Sequence, residues 1–166
     1  ALFALYPART DADVPAAATA LASDAFLGAS TWKWFDLHRR TRQPTYYYYF
    51  SHPRPAALPP LTNPEIPPMG AVHSAEIEYA LGNLDTNPAY AWTAEDRRIA
   101  AVFQGYFAAF IKTGNPNATG LPTWPAAASG NGAIVRQTVD VQTRAEPFVD
   151  QARYEAAVPL LENRRP

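Results

Sequence analysis

The sequence predicts an α/β chain whose sheet is incomplete within its own 166 residues. Three observations carry this. Thr45 to Phe50 includes four consecutive tyrosines between Pro44 and His52-Pro53, a continuous run of aromatic β-formers that predicts a strand buried on both faces. Several helical segments surround it. Ala133 to Val139 and Val141 to Ala145 are two further short β-prone runs, read as a hairpin. One central strand among several helices does not close a sheet, so residues 1–166 are expected to be the C-terminal part of a single larger α/β domain.

In chain order, Leu2 to Pro7 reads as a short buried turn or strand end. Asp11 to Ala22 is alanine-rich and predicts a short helix. Asp24 to Arg42 predicts a longer one, with Phe26, Trp32, Phe35 and Leu37 loosely on one face. Its basic end, His38-Arg39-Arg40 with Arg42, suits a helix C-terminus, where the macrodipole favours cations. After the tyrosine strand, prolines gather between Pro53 and Pro68. Such a stretch is expected neither to form helix nor to pair in a sheet, and to be a long ordered loop. Ala75 to Leu81 reads as a short helix closed by Gly82. Thr93 opens the clearest helix as N-cap, with Glu95 and Asp96 in the first turn and Gly114 as its end. Ile99, Val102, Phe103, Tyr106, Phe107, Phe110 and Ile111 recur at spacings of three and four, a wide apolar face. Gly120 to Gly132 reads as a loop, and Val149 to Leu161 as a last helix broken near its end by Pro159.

Composition narrows the function. A formal net charge of -1, with the single basic cluster at a helix end, excludes a broad electrostatic case for nucleic acid. The absence of cysteine removes disulfides, thiolate chemistry and cysteine-ligated metal. No apolar run approaches the roughly 20 residues of a membrane span. Residues 1–20 show no basic start followed by an apolar stretch, so no signal peptide is expected within them.

One segment carries chemistry. Gly70-Ala71-Val72-His73-Ser74-Ala75-Glu76-Ile77-Glu78-Tyr79-Ala80-Leu81-Gly82-Asn83-Leu84 resembles the catalytic-histidine segment of the type-B (cholinesterase-like) carboxylesterases, Gly-Ala-x-His with an acidic and an aliphatic residue after two more positions. Tyr46 to Phe50 looks like the strand preceding that histidine. Phe110 to Asn117 resembles the family's Phe-x-Lys-Thr-Gly-Asp/Asn-Pro-Asn helix end, and Leu121-Pro122-Thr123-Trp124-Pro125 falls where a Trp-Pro belongs. Phe3 to Pro7 and Ser23 to Phe26 fit as well, so the likeness spans nearly the whole chain. Leu81 departs from a common phenylalanine, and Ala126-Ala127 from an aromatic.

The resemblance implies the C-terminal portion of an α/β-hydrolase fold and a serine–histidine–acid triad acting on a small-molecule ester, without metal or organic cofactor. His73 is then the catalytic histidine, and Glu76 and Asp24 are carboxylates supporting it. The nucleophile and the acid are expected upstream, in the N-terminal part of the same esterase or on a separate chain. Gly28-Ala29-Ser30-Thr31-Trp32 is not a nucleophile elbow, because Trp32 stands where the second glycine is required. The resemblance also favours, slightly, a periplasmic or secreted setting.

Other readings stand beside these. His73 and Glu76 share a metal-like H-x-x-E spacing, but no third ligand follows at a matching distance. Asp24 reads equally well as an ordinary helix N-cap. His38 and His52 are read as structural or exposed, and their loss as close to neutral. The aromatic set Trp32, Trp34, Phe35 and Tyr46 to Tyr49 reads as core. The rival from another class is a non-catalytic cholinesterase-like binding protein that keeps the fold and loses triad members. A third is a standalone helical module, against which the incomplete sheet argues.

Overall fold

Thr93 and Gly114 bracket the longest helix as their chemistry requires. In the computed structural model, which describes residues 2–59, 70–127 and 133–162, that helix is α4, Ala94–Thr113. The Thr93 hydroxyl accepts from the Asp96 amide, and the Asp96 carboxylate accepts from the Thr93 amide at 2.7 Å, a capping box. Gly114 closes the helix at φ 73°, in the left-handed region glycine enters without a Cβ penalty.

The chain divides into two compact units. One comprises Ala1–Thr45, Ala127–Ile134 and Pro147–Pro166; the other comprises Tyr46–Ala126 and Val135–Glu146. The first is helical. The two expected helices are one continuous path, α1 (Val14–Ser23) and α2 (Ala29–Arg39), joined by a π turn at Asp24–Gly28. The wider π turn inserts a residue without breaking the helix. The fifth helix, α5 (Gln151–Glu162), packs against α2. It runs through Pro159 instead of breaking there. The shared core is aromatic: Trp32 stacks on Phe148 at 5.0 Å, and Phe35 and Tyr154 lie at 5.5 and 6.4 Å from it. Trp32 and Phe35 are thus core, as expected, whereas Trp34 is 76% exposed. Leu2–Leu5 is a turn of 3-10 helix that leads to buried Tyr6.

The second unit holds the sheet, in the order β1 (Tyr48–Phe50), β2 (Val135–Val139), β3 (Arg144–Pro147). β1 and β2 run parallel, with Tyr48 opposite Gln137 and Phe50 opposite Val139. The expected hairpin is β2 and β3, joined by the turn 140–143. β1 is shorter than its tyrosine run and lies at the side of this sheet. Tyr49 is 46% exposed, with the Arg136 guanidinium 4.4 Å over its ring, so burial on both faces is not what these residues achieve. The other face supplies the core: Phe50 packs with Ala75, Tyr79, Leu84, Phe103, Tyr106, Trp124 and Val139. α3 (Ile77–Leu81) and α4 close over it.

One loop expectation is revised. Within the proline-rich stretch, Ala57 forms an antiparallel bridge with Tyr90, and Leu58 and Ala91 donate to Ala89 and Ala56 at 2.7 and 2.9 Å. Residues between prolines keep their N–H groups and can pair. Residues 60–69 of that stretch and 128–132 of the Gly120–Gly132 loop lie outside the described residues. The Asn-Pro-Asn and Trp-Pro pieces meet: the Asn117 amide accepts from the Trp124 N–H at 2.7 Å and donates to its carbonyl at 2.8 Å.

Candidate active site

His73 stands on a turn at the mouth of α3, in the second unit. Gly70 and Ser74 both have positive φ, 78° and 65°. For serine that conformation costs about 1–2 kcal/mol, so the turn must be held from outside. It folds back locally through the Ala75 amide on the Val72 carbonyl at 3.0 Å. Val72 and His73 are exposed, while Ala75 and Tyr79 are fully buried. A small residue two positions after His73 and a tyrosine one turn later seat the turn on the core. Gly82, at φ 66°, ends the helix as expected.

Beneath the turn, Tyr79 donates to Asp96 at 2.6 Å. Burial, then that hydrogen bond and charge, push the Tyr79 phenol well up. Asp96 also faces His52 Nε2 at 3.0 Å, and His52 Nδ1 faces Asp140 at 3.1 Å. Ser51 and the Val141 amide donate to Asp140, both at 2.7 Å. Burial alone would raise both carboxyl pKa values, but the hydrogen bonds from Thr93, Tyr79 and His52 outweigh it at Asp96. Those from Ser51, Val141 and His52 outweigh it at Asp140, so both lie below the ordinary range. His52 is therefore structural, as read from the sequence, but not expendable.

Glu76 is half-buried immediately ahead of α3. Burial first, and the Glu76 charge second, raise the Tyr48 phenol. The carboxylate that ties α3 down by hydrogen bonds is Glu78. It accepts from Arg54 and from Asn87, each at 2.8 Å. Burial works against its ionisation, but these donors hold it below the ordinary glutamate value. Sequence reasoning missed Arg54, because an arginine between two prolines carries no sign of a partner 24 residues away.

Asp24 belongs to the other unit. It is not an N-cap: it sits in the π turn, buried, and accepts from Tyr6 at 2.8 Å and from Arg153 at 2.9 and 3.3 Å. Burial and this hydrogen bond push the Tyr6 phenol up to about 12. Ser30, the near miss to an elbow, is an exposed residue of α2 that donates to the Leu27 carbonyl at 3.0 Å. His38 is exposed at the end of α2. Among the described residues no group of three His, Cys, Asp or Glu could hold a metal ion, and no helix is long and apolar enough to cross a membrane.

Comparison with known proteins identifies the frame. Residues 4–157 match the model of the carboxylesterase family. Carboxylesterase 5A of Canis lupus familiaris is 36% identical over 93 residues, which are 54% of this chain and 16% of that protein. The acylcarnitine hydrolase of Rattus norvegicus is 31% identical over 114 residues, 69% of this chain and 18% of that protein. The chain thus spans under a fifth of the length of these curated relatives. A solved esterase from Clostridium hathewayi, described as able to hydrolyse aliphatic aromatic polyesters, superposes at a TM-score of 0.62 with 18% identity, over 98% of this chain and 28% of its own. That likeness establishes the α/β fold of which the small sheet is a part, and the match over residues 4–157 means that this chain belongs to the carboxylesterase family.

Proposed function

We propose that this chain is the C-terminal part of a serine carboxylesterase domain and contributes the triad histidine, His73. The nucleophilic serine and the acid come from upstream sequence or a separate chain. The observation that carries the reading is the exposed His73 on a turn seated on the core through Ala75 and Tyr79. A general base must reach a partner hydroxyl while its own mounting stays fixed. His73 takes the serine proton as the hydroxyl attacks the ester carbonyl and delivers it to the leaving alcohol. It then activates the water that cleaves the acyl-enzyme. The need for a partner is supported by apolar surface in the second unit. Phe107, Phe110 and Ile111 are 37%, 47% and 79% exposed on one helix, beside a groove lined by Tyr46, Tyr48 and Trp124.

The test is reconstitution. Ester hydrolysis is expected when residues 1–166 are produced with the upstream part of the esterase, and not from residues 1–166 alone. Alone, the chain is expected to be poorly soluble. A stable monodisperse monomer by sedimentation speaks against the need for a partner. A reconstituted pair that binds esters without turning them over favours the binding-protein reading.

In this reading Glu76 supports His73 from the residue ahead of α3. Asp24 has both oxygens engaged by Tyr6 and Arg153, so within its own unit it ties the π turn to α5. Glu76→Gln is expected to lower turnover less than Glu76→Ala, and Glu76→Ala by about tenfold, well short of His73→Ala. Chelators are expected to have no effect on either. Unchanged turnover and stability in Glu76→Ala removes its role, and loss of activity on chelation with recovery on added zinc replaces it with a metal site.

A further inference from the structure

We infer that Arg54 is a positioning residue for His73, acting as a clamp that holds the left-handed Ser74 turn against α3; the inference rests on the histidine role proposed above. One terminal nitrogen of Arg54 donates to the Ser74 carbonyl at 3.0 Å and to Glu78 Oε2 at 2.8 Å. Its first acceptor is the carbonyl of the residue directly after His73, where the backbone enters the left-handed region. Its second lies four residues further along, on α3. The two contacts together join the strained turn to the helix it introduces. The clamp is itself held. Arg54 lies 5.2 Å over the Tyr90 ring, and Tyr90 is the bridge partner of Ala57. Asn87 occupies the other oxygen of Glu78. Arg54 and Glu78 side chains are 19% and 14% exposed, so water competes weakly for these bonds.

The geometry selects arginine. One terminal nitrogen meets the carbonyl and the carboxylate while the guanidinium carbon stays 5.2 Å from the Tyr90 ring centroid, a cation–π contact that the delocalised guanidinium makes more readily than an ammonium. Without the clamp, the Ser74 carbonyl loses the Arg54 donor and the left-handed turn loses its tie to Glu78. Its relaxation swings His73 relative to any serine fixed elsewhere. Misplacement of about 1 Å in a reacting group costs on the order of a hundredfold in rate. Arg54 is engaged by Ser74, Glu78 and Tyr90, so its effect is expected on turnover and not on substrate binding.

The experiment has two arms. In the assembled esterase, Arg54→Ala is expected to lower kcat roughly ten- to a hundredfold with KM within about twofold. Arg54→Lys is expected to recover part of the loss, and guanidinium ion at non-denaturing concentration part of the Arg54→Ala loss. Independently of activity, amide hydrogen exchange at residues 74–80 is expected to speed up in Arg54→Ala while α4 stays protected. A purely structural arginine would change protection across the unit and give no guanidinium rescue. Unchanged kcat with unchanged exchange at 74–80 overturns the clamp, as does global loss of protection without rescue. If Arg54→Ala does not fold, Arg54→Lys and Glu78→Gln are compared by the same two readouts, and wild-type exchange and kcat in both overturn it. Retained activity in His73→Ala sinks the function reading instead, and the exchange arm still decides the clamp.

Discussion

His73→Ala in the assembled esterase is expected to lower kcat roughly a thousandfold or more, with the fold unchanged. The separation of the two effects follows from where the residue sits. His73 is exposed, and the residues that seat its turn are Ala75 and Tyr79, both fully buried and untouched by the change. Truncating an exposed side chain away from caps and core typically moves stability by about 0.5 kcal/mol or less. In the proposed role, loss of His73 leaves the serine hydroxyl protonated and the leaving alkoxide without a proton donor, so both halves of the reaction are expected to suffer. Residual turnover comes from whatever binding and oxyanion stabilisation the rest of the enzyme provides. His38→Ala, at an exposed helix end, is the matched control and is expected to be neutral. Steady-state kinetics on a simple ester, with thermal melts alongside, reads both quantities. Near-wild-type turnover in His73→Ala would remove the central assignment.

What the sequence discloses is what acts over short distances along the chain. Thr93, Asp96 and Gly114 mark α4 because capping is settled within a few residues of each end. Gly82 marks the end of α3 for the same reason. The family is legible because the segment from Gly70 to Leu84 keeps a recognisable order. The strand is legible as a strand but not in its surroundings. Whether Tyr49 is covered depends on what lies beside β1, and no local pattern encodes that. The π turn at Asp24–Gly28 has no compositional sign, so the sequence divides there into two helices where the backbone makes one path. The polar anchors are the least legible. Arg54 finds Glu78 across 24 residues, His52 finds Asp96 across 44 and Asp140 across 88, and Asp24 finds Arg153 across 129. Each partner is an ordinary charged residue until the fold brings it to the other. That is why Glu76, nearest in sequence, attracts the supporting role while Glu78 holds the hydrogen bonds.

His52→Ala is expected to destabilise the protein by about 1–3 kcal/mol, the range for leaving buried polar groups without a hydrogen-bond partner. His52 presents one ring nitrogen to Asp96 and the other to Asp140, at 3.0 and 3.1 Å, with its side chain 13% exposed. It therefore ties the end of β1 to the first turn of α4 and to the turn between β2 and β3. Alanine leaves both carboxylates without their ring-nitrogen contact and opens a ring-sized space beside Phe50 and Tyr79, whose rings lie 6.5 and 5.9 Å from the imidazole. The effect has a sign in pH. Asp96 and Asp140 both have folded pKa values below the ordinary carboxylate range, with His52 among the causes. Carboxylates depressed in the folded state contribute stability that is fully present above their unfolded pKa, about 3.9, and is lost as pH falls through the folded value. The deficit of His52→Ala is thus largest near neutrality and narrows below about pH 4, where protonation of the two carboxylates removes the contribution His52 makes to them and only the packing loss remains. His52→Gln restores an amide donor toward one of the two carboxylates and is expected to recover part of the deficit. Urea unfolding of wild type and both variants between pH 3 and pH 7.5 measures this. A deficit below about 1 kcal/mol at neutrality, or one that stays constant across that range, would show that the two carboxylates do not depend on His52.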